Sequence, residues 1–215
     1  MKKIKYVIFD FDGTIADTLP FSFAKFLEIA NKTEVDELRD KKILDEIRLK
    51  SCKDLLNMEF NEVWLKLPFV VNIIKKMQTE LEKDIKRIKF FPGVKKFLFD
   101  LKKEGYKLAI ISSNRKENIN KFITLNKLNV FEFVHGKTEL FGKAGYLEKF
   151  LKDFKFKKSE VIYIGDEIRD VTACKKVGIK IIGVSWGLHT IDALKKSGVD
   201  YLVKKPQEII KILNG

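Results

Sequence analysis

Cysteine is almost missing from this chain: 215 residues hold two, Cys52 and Cys174, far apart in sequence. No paired-cysteine spacing is present, so neither a structural zinc site nor a disulfide framework is expected. Histidine is as scarce, with only His135 and His189, each without metal-ligand company in the sequence. No apolar run reaches the roughly 18–20 residues that a bilayer-spanning helix needs. Lys2 and Lys3 precede an apolar segment that is short and ends in Asp10, which does not fit a secretory leader. No internal repeat is visible. These absences point to a cytoplasmic protein with reduced thiols and no membrane partner.

Acidic residues are outnumbered, 30 against 43 Lys and Arg, which leaves a net charge of +13. The lysines are spread along most of the expected helices, and no basic run interleaved with aromatics stands out. A lysine-rich solvated surface is therefore preferred over a nucleic-acid interface. Such a surface still steers anionic small molecules toward the protein. The hydrophobic content of 45% is enough for one sizeable core and a small accessory domain.

The chain alternates between strand and helix signals. Ile4 to Phe9, Lys107 to Ile111, Val130 to Val134, Val161 to Ile164, Lys180 to Val184 and Tyr201 to Val203 read as buried strands. Helices are expected between them: one carrying Val94, Phe97, Leu98 and Leu101 inward, one over 116–126, and one opened by Lys143 with Tyr146, Leu147, Phe150 and Leu151 inward. Others run up to Gly178, over 191–197, and over 206–213. This alternation predicts an α/β fold, a doubly wound parallel sheet with helices on both faces. Residues 17–88 break the pattern. They are dense in Leu, Ile, Lys and Glu, show apolar residues such as Phe21, Phe23, Phe26 and Leu27 at helical spacing, and place Pro68 where it can open a helix. They read as a small helical domain inserted into a core made of 1–16 and 89–215.

Chemistry concentrates at the strand ends. Asp10-Phe11-Asp12-Gly13-Thr14 follows the first strand, at the carboxyl edge where open α/β sheets bind ligands. Two carboxylates two residues apart on a strand lie roughly 6.6 Å from each other. Buried, they repel and raise each other's pKa unless a cation lies between them. That arrangement suits one carboxylate that binds metal or attacks and one that moves protons. Later strand ends and helix starts bring Ser112 with Ser113, then Lys143, then Asp166 and Asp170. A hydroxyl, an ammonium and several carboxylates suit a phosphate dianion beside a divalent cation. Carboxylates with a main-chain carbonyl suit octahedral magnesium. Taken singly, Ser112 is also a turn former, Lys143 a solvated lysine with Lys137 a nearby alternative, and Asp170 a helix cap. Glu167 reads as a turn or supporting residue, and Asn114 and Arg115 border the pocket.

Taken in order, Asp10-Phe11-Asp12-Gly13-Thr14, Ser112, Lys143 and Gly165-Asp166-Glu167-Ile168-Arg169-Asp170 resemble the four motifs of the haloacid dehalogenase-like hydrolases. With Ser185-Trp186-Gly187, the similarity is greatest to their phosphoglycolate-phosphatase-like branch. The resemblance implies a magnesium-dependent phosphatase of a small phosphorylated metabolite. It implies Asp10 as nucleophile, Asp12 as general acid and base, and phosphate contacts from Thr14, Ser112, Ser113 and Lys143. Magnesium would be held by Asp10, the main-chain carbonyl of Asp12, Asp166 and, directly or through water, Asp170. The insert would be the family's cap, which closes over the site and selects the leaving group. A phosphomutase of the β-phosphoglucomutase type shares these core residues, and a phospho-accepting regulatory module is an alternative of another class.

Overall fold

Residues 4–32, 68–136 and 142–214 are described by the computed structural model. Six strands form a single parallel sheet: β1 (Tyr6–Phe9), β2 (Lys107–Ile111), β3 (Phe131–His135), β4 (Val161–Gly165), β5 (Lys180–Val184) and β6 (Tyr201–Val203). Their order across the sheet is β3-β2-β1-β4-β5-β6, and each neighbouring pair is parallel. The order reverses on either side of β1. The first strand therefore lies in the middle of the sheet, with its carboxyl end at the crevice where ligands bind in doubly wound folds.

The two faces of the sheet follow from the period-2 alternation of side chains. Val7 and Phe9 point to one side and Ile8 to the other, all fully or nearly fully buried. On the first side lie α3 (Val94–Lys103), α4 (Lys116–Leu125) and α8 (Pro206–Asn214), which contribute Leu98, Phe122 and Ile209. On the other lie α5 (Lys143–Asp153), α6 (Ile168–Val177) and α7 (Ile191–Lys196), which contribute Leu147, Val171 and Leu194. Apolar burial on both faces explains why β1, β2, β4 and β5 read as continuous hydrophobic runs. The edge strand β3 is only half covered, and its register shifts between Leu108 and Ala109 of β2. It starts one residue later than the sequence suggests and continues to His135.

One stretch departs from the sequence reading of an uninterleaved basic surface. Between 150 and 158, Phe150, Phe154 and Phe156 alternate with lysines. Their rings pack on one another, with Phe150 and Phe154 centroids 4.9 Å apart, and Phe156 stacks on Tyr6 at 3.6 Å. Phe150 and Phe156 pack against the core on the α5 side of the sheet, and the exposed Phe154 lies against Phe133 of β3.

The insert begins with α1 (Leu19–Lys32) and ends with α2 (Pro68–Asp84), which pack against each other and lead into a 3-10 turn at Ile85–Arg87. Pro68 opens its helix, as its missing N–H allows. The helical reading over 33–67 falls outside the described residues. The chain leaves and rejoins the sheet side by side: Asp17 N donates to the Lys89 carbonyl at 2.9 Å, and Ala16 pairs antiparallel with Phe90. Leu81 and Ile85 anchor the returning end in the core cluster. Among the described residues, no helix is long and apolar enough to cross a membrane.

Candidate active site

Pairing of β1 with β4 brings the two acidic strand ends together. Asp10 follows Phe9, and its N–H donates to the Ile164 carbonyl at 2.9 Å, so it continues the ladder one step past the strand. Asp166 follows Gly165 at the end of β4, and Asp170 lies in the first turn of α6. All three are buried, and one carboxylate oxygen from each lies within 4.8 Å of the other two. Lys143, at the start of α5, crosses to them from the far side. Its Nζ donates to Asp10 Oδ2 at 2.9 Å and to Asp170 Oδ1 at 2.5 Å, and lies 5.5 Å from the centre of the Tyr163 ring. The backbone N–H of Phe11 donates to the other Asp10 oxygen at 2.8 Å.

Local backbone geometry makes room for this cluster. Gly13 has φ +72°, and a Cβ there would lie 2.1 Å from Asp166 Oδ2. Glycine is thus required twice over, by conformation and by space. Asp166 is held from three sides. The Thr14 hydroxyl donates to Oδ1 at 2.7 Å, Leu188 N donates to Oδ2 at 2.7 Å, and His189 N donates to its carbonyl at 3.3 Å. The Trp186 indole N–H reaches the Thr14 carbonyl at 3.1 Å, which ties the Ser185-Trp186-Gly187 loop to the same turn. Asp170 has a second task as a helix cap: its Oδ2 accepts from Glu167 N at 3.3 Å in a reciprocal capping box. Glu167 itself pairs with Arg169.

The electrostatics are those of a site with more negative than positive charge. Burial pushes the Asp166 carboxyl well above its ordinary range, and Glu167, Asp10 and Asp170 add to the effect. Burial raises Asp170 to about 7 against the opposing Lys143 charge. Burial would lower Lys143, but the Asp10 and Asp170 charges outweigh it and keep the ammonium ionised. One ammonium faces three carboxylates, all oxygen donors within one small volume. That donor set fits a divalent hard cation, which would complete the charge balance.

Asp12 belongs to a neighbouring system. Its Oδ1 accepts from the Thr18 hydroxyl at 2.7 Å, and both oxygens lie 3.0 Å from Asn114 Nδ2. Burial raises it to about 7. Asp10 and Glu167 push in the same direction, and the Thr18 and Asn114 hydrogen bonds oppose. The two carboxylates of the first motif are thus differentiated: Asp10 is held by an ammonium and Asp12 by neutral donors.

Ser112 ends β2 beside β1, fully buried, with its N–H on the His135 carbonyl at 3.1 Å and its Oγ accepting from Asn114 N at 3.2 Å. The Ser113 carbonyl accepts from Gln78 of α2 at 3.2 Å. Lys137, the alternative to Lys143, falls outside the described residues. His135 packs on the Tyr146 ring, centroids 4.5 Å apart. Sequence reasoning gave no role to Thr18 or Asn118 and only a peripheral one to Asn114. The sole signal for Asn114 is its place two residues past Ser112. Thr18 and Asn118 carry none, because their partners lie on other elements.

Residues 7–184 match the haloacid dehalogenase-like hydrolase family, and the chain belongs to it. A phosphoglycolate phosphatase of Synechococcus elongatus is 28% identical over 209 residues, which is 95% of each chain. The pyrophosphatase PpaX of Bacillus mycoides is 24% identical across 99% of this chain and 98% of its own. Among solved structures, a protein described as a predicted phosphatase from Clostridium acetobutylicum superposes with a TM-score of 0.77 at 23% identity, covering 99% of both chains. At that identity the likeness shows the fold. Family and curated relatives together place this enzyme among the phosphatases of that hydrolase family.

Proposed function

We propose that the protein is a magnesium-dependent phosphatase that hydrolyses a small phosphomonoester through a phosphoryl group carried on Asp10. The observation that carries this reading is the unequal treatment of two neighbouring carboxylates. Asp10 is gripped by Lys143 inside a three-carboxylate cluster, and Asp12 is held apart by Thr18 and Asn114. The curated relatives' activities on phosphoglycolate and pyrophosphate lend support for a small phosphorylated substrate.

In the first step a carboxylate oxygen of Asp10 attacks phosphorus in line. The bond from phosphorus to the ester oxygen breaks, and Asp12 delivers its proton to that oxygen. In the second step Asp12, now a carboxylate, takes a proton from water. The water oxygen bonds to phosphorus, the Asp10–phosphorus bond breaks, and inorganic phosphate leaves with both aspartates restored. Splitting the reaction this way is a known use of a carboxylate nucleophile. Lys143 fixes Asp10 and offsets charge on the phosphoryl oxygens, and Ser112 with nearby backbone N–H groups and Ser113 and Thr14 border them. Asp10, the Asp12 carbonyl, Asp166 and Asp170 would hold the magnesium, which supplies charge neutralisation for the transferring phosphoryl group. The insert that α1 opens and α2 closes is assigned the role of the cap that selects the leaving group.

Phosphate release from a panel of phosphorylated metabolites, measured with magnesium and with excess chelator, tests the reading. Multiple turnover that requires magnesium is expected. A single phosphorylation event with no turnover would mark a regulatory module instead. Transfer of the phosphoryl group to a sugar phosphate in preference to water would mark a mutase.

A further inference from the structure

A chain of side-chain amides links the inserted helix α2 to Asp12, and it passes through a residue that does not face the carboxylate cluster. Asn118, in the first turns of α4, is fully buried. Its Nδ2 donates to the Gln78 carbonyl of α2 at 2.8 Å and to Asn114 Oδ1 at 2.9 Å. Its Oδ1 has no partner among the described residues. The orientation of this amide is therefore determined, since turning it over would set an oxygen against two other oxygens. Asn114 Oδ1 receives a second donor, Arg115 N, at 2.7 Å. With its oxygen engaged twice, Asn114 has only its nitrogen to present to Asp12, 3.0 Å from both carboxylate oxygens.

We infer that Asn118 is a positioning residue for the proton-transferring carboxylate. Clamped on the α2 carbonyl, it fixes the Asn114 amide with its donor side toward Asp12 and so holds Asp12 where the leaving oxygen departs. This rests on the reading that Asp12 protonates that oxygen. Asn118 also completes a set of ties between α2 and α4. Arg115 Nη1 lies 3.2 Å from Glu82 Oε2, and Lys121 Nζ donates to the Glu82 carbonyl at 2.8 Å. The inserted segment is thereby connected to the orientation of the acid through one amide.

The test is the leaving-group dependence of kcat/KM, which reports the step in which the ester oxygen departs. Asn118→Leu keeps the size and removes both hydrogen bonds. It is expected to lower kcat/KM about tenfold or more for an alkyl phosphate, part of the ~10²–10⁴-fold that a general acid supplies. For 4-nitrophenyl phosphate, whose leaving group needs no proton, the loss should stay within about threefold on the same reasoning. Asn114→Leu should show the same selectivity, and the double variant should be no worse than Asn114→Leu alone, because the two residues act in series. If Asn118→Leu does not fold, Asn118→Asp, which keeps the shape and replaces donor by acceptor, is measured on the same slope. An equal loss for both substrates, or additive losses in the double variant, overturns the inference and leaves the phosphatase reading standing. A leaving-group slope unchanged in Asp12→Ala overturns Asp12 as the acid and the inference with it, and absence of phosphate release by the wild type overturns the phosphatase reading.

Discussion

A carboxylate in water ionises near pH 4, yet Asp12 is raised to about 7. The main cause is burial, reinforced by Asp10 and moderated by hydrogen bonds from Thr18 and Asn114. As the acid of the first step, Asp12 must begin protonated, and its acid form prevails below about 7. For alkyl phosphates kcat/KM should therefore fall as pH rises through that region, and for 4-nitrophenyl phosphate the same limb should be shallow. Asp12→Ala should lose about 10²–10⁴-fold on alkyl phosphates and lose the alkaline limb with it. A full set of pH profiles on the two substrates checks both statements. The identities of Asp10, Asp12, Asp166 and Asp170 were legible as acids at strand ends. The difference in their surroundings was not. Thr18 and Asn114 are six and 102 residues from Asp12, and no pattern in the sequence marks that they meet it.

At the scale of elements, the turn from 11 to 16 does more than end β1. It presents the Thr14 hydroxyl to Asp166, accepts the Trp186 indole on the Thr14 carbonyl, and starts the stem of the insert at Ala16. Gly13→Ala would place a methyl group 2.1 Å from Asp166 Oδ2 at φ +72°. Asp166 must then shift, and displacing a supported ligand typically weakens metal binding about 10–100-fold. The magnesium concentration for half-maximal activity should rise by that order. Gly105 provides the control. It has φ +86° and nothing within 4 Å of a Cβ, so Gly105→Ala should lower thermal stability without changing the magnesium requirement. Sequence reasoning read Gly13 only as part of the first motif. It had no means of showing that a residue 153 positions later fills the space beside the glycine. The elements themselves were largely readable. β2, β5 and β6 have the bounds that their apolar runs suggest, and Gly178 closes α6 in the left-handed conformation at φ 78°. β3 lies one residue later than its apolar run suggests, beside the register shift against Leu108 and Ala109 of β2.

Across the whole molecule, strand order is what turns scattered motifs into a site, and strand order is not written in any local stretch. The alternation of elements implied a parallel sheet. Only the pairing of β1 with both β2 and β4 sets Asp10 beside Asp166 and the Ser112 turn. The inserted segment then returns along its own stem and touches the α4 region through Gln78 and Glu82. The chemistry proposed for this assembly places one covalent event on one atom group. Mixing the enzyme with magnesium and a hydrolysed phosphomonoester, quenching in acid within the first turnover and mapping the peptides by mass spectrometry measures that event directly. A phosphoryl group is expected on the peptide bearing Asp10, labile to hydroxylamine, and neither phosphoenzyme nor turnover is expected in Asp10→Asn. Turnover retained in Asp10→Asn, or a phosphoryl group found on another residue, would contradict the proposed chemistry.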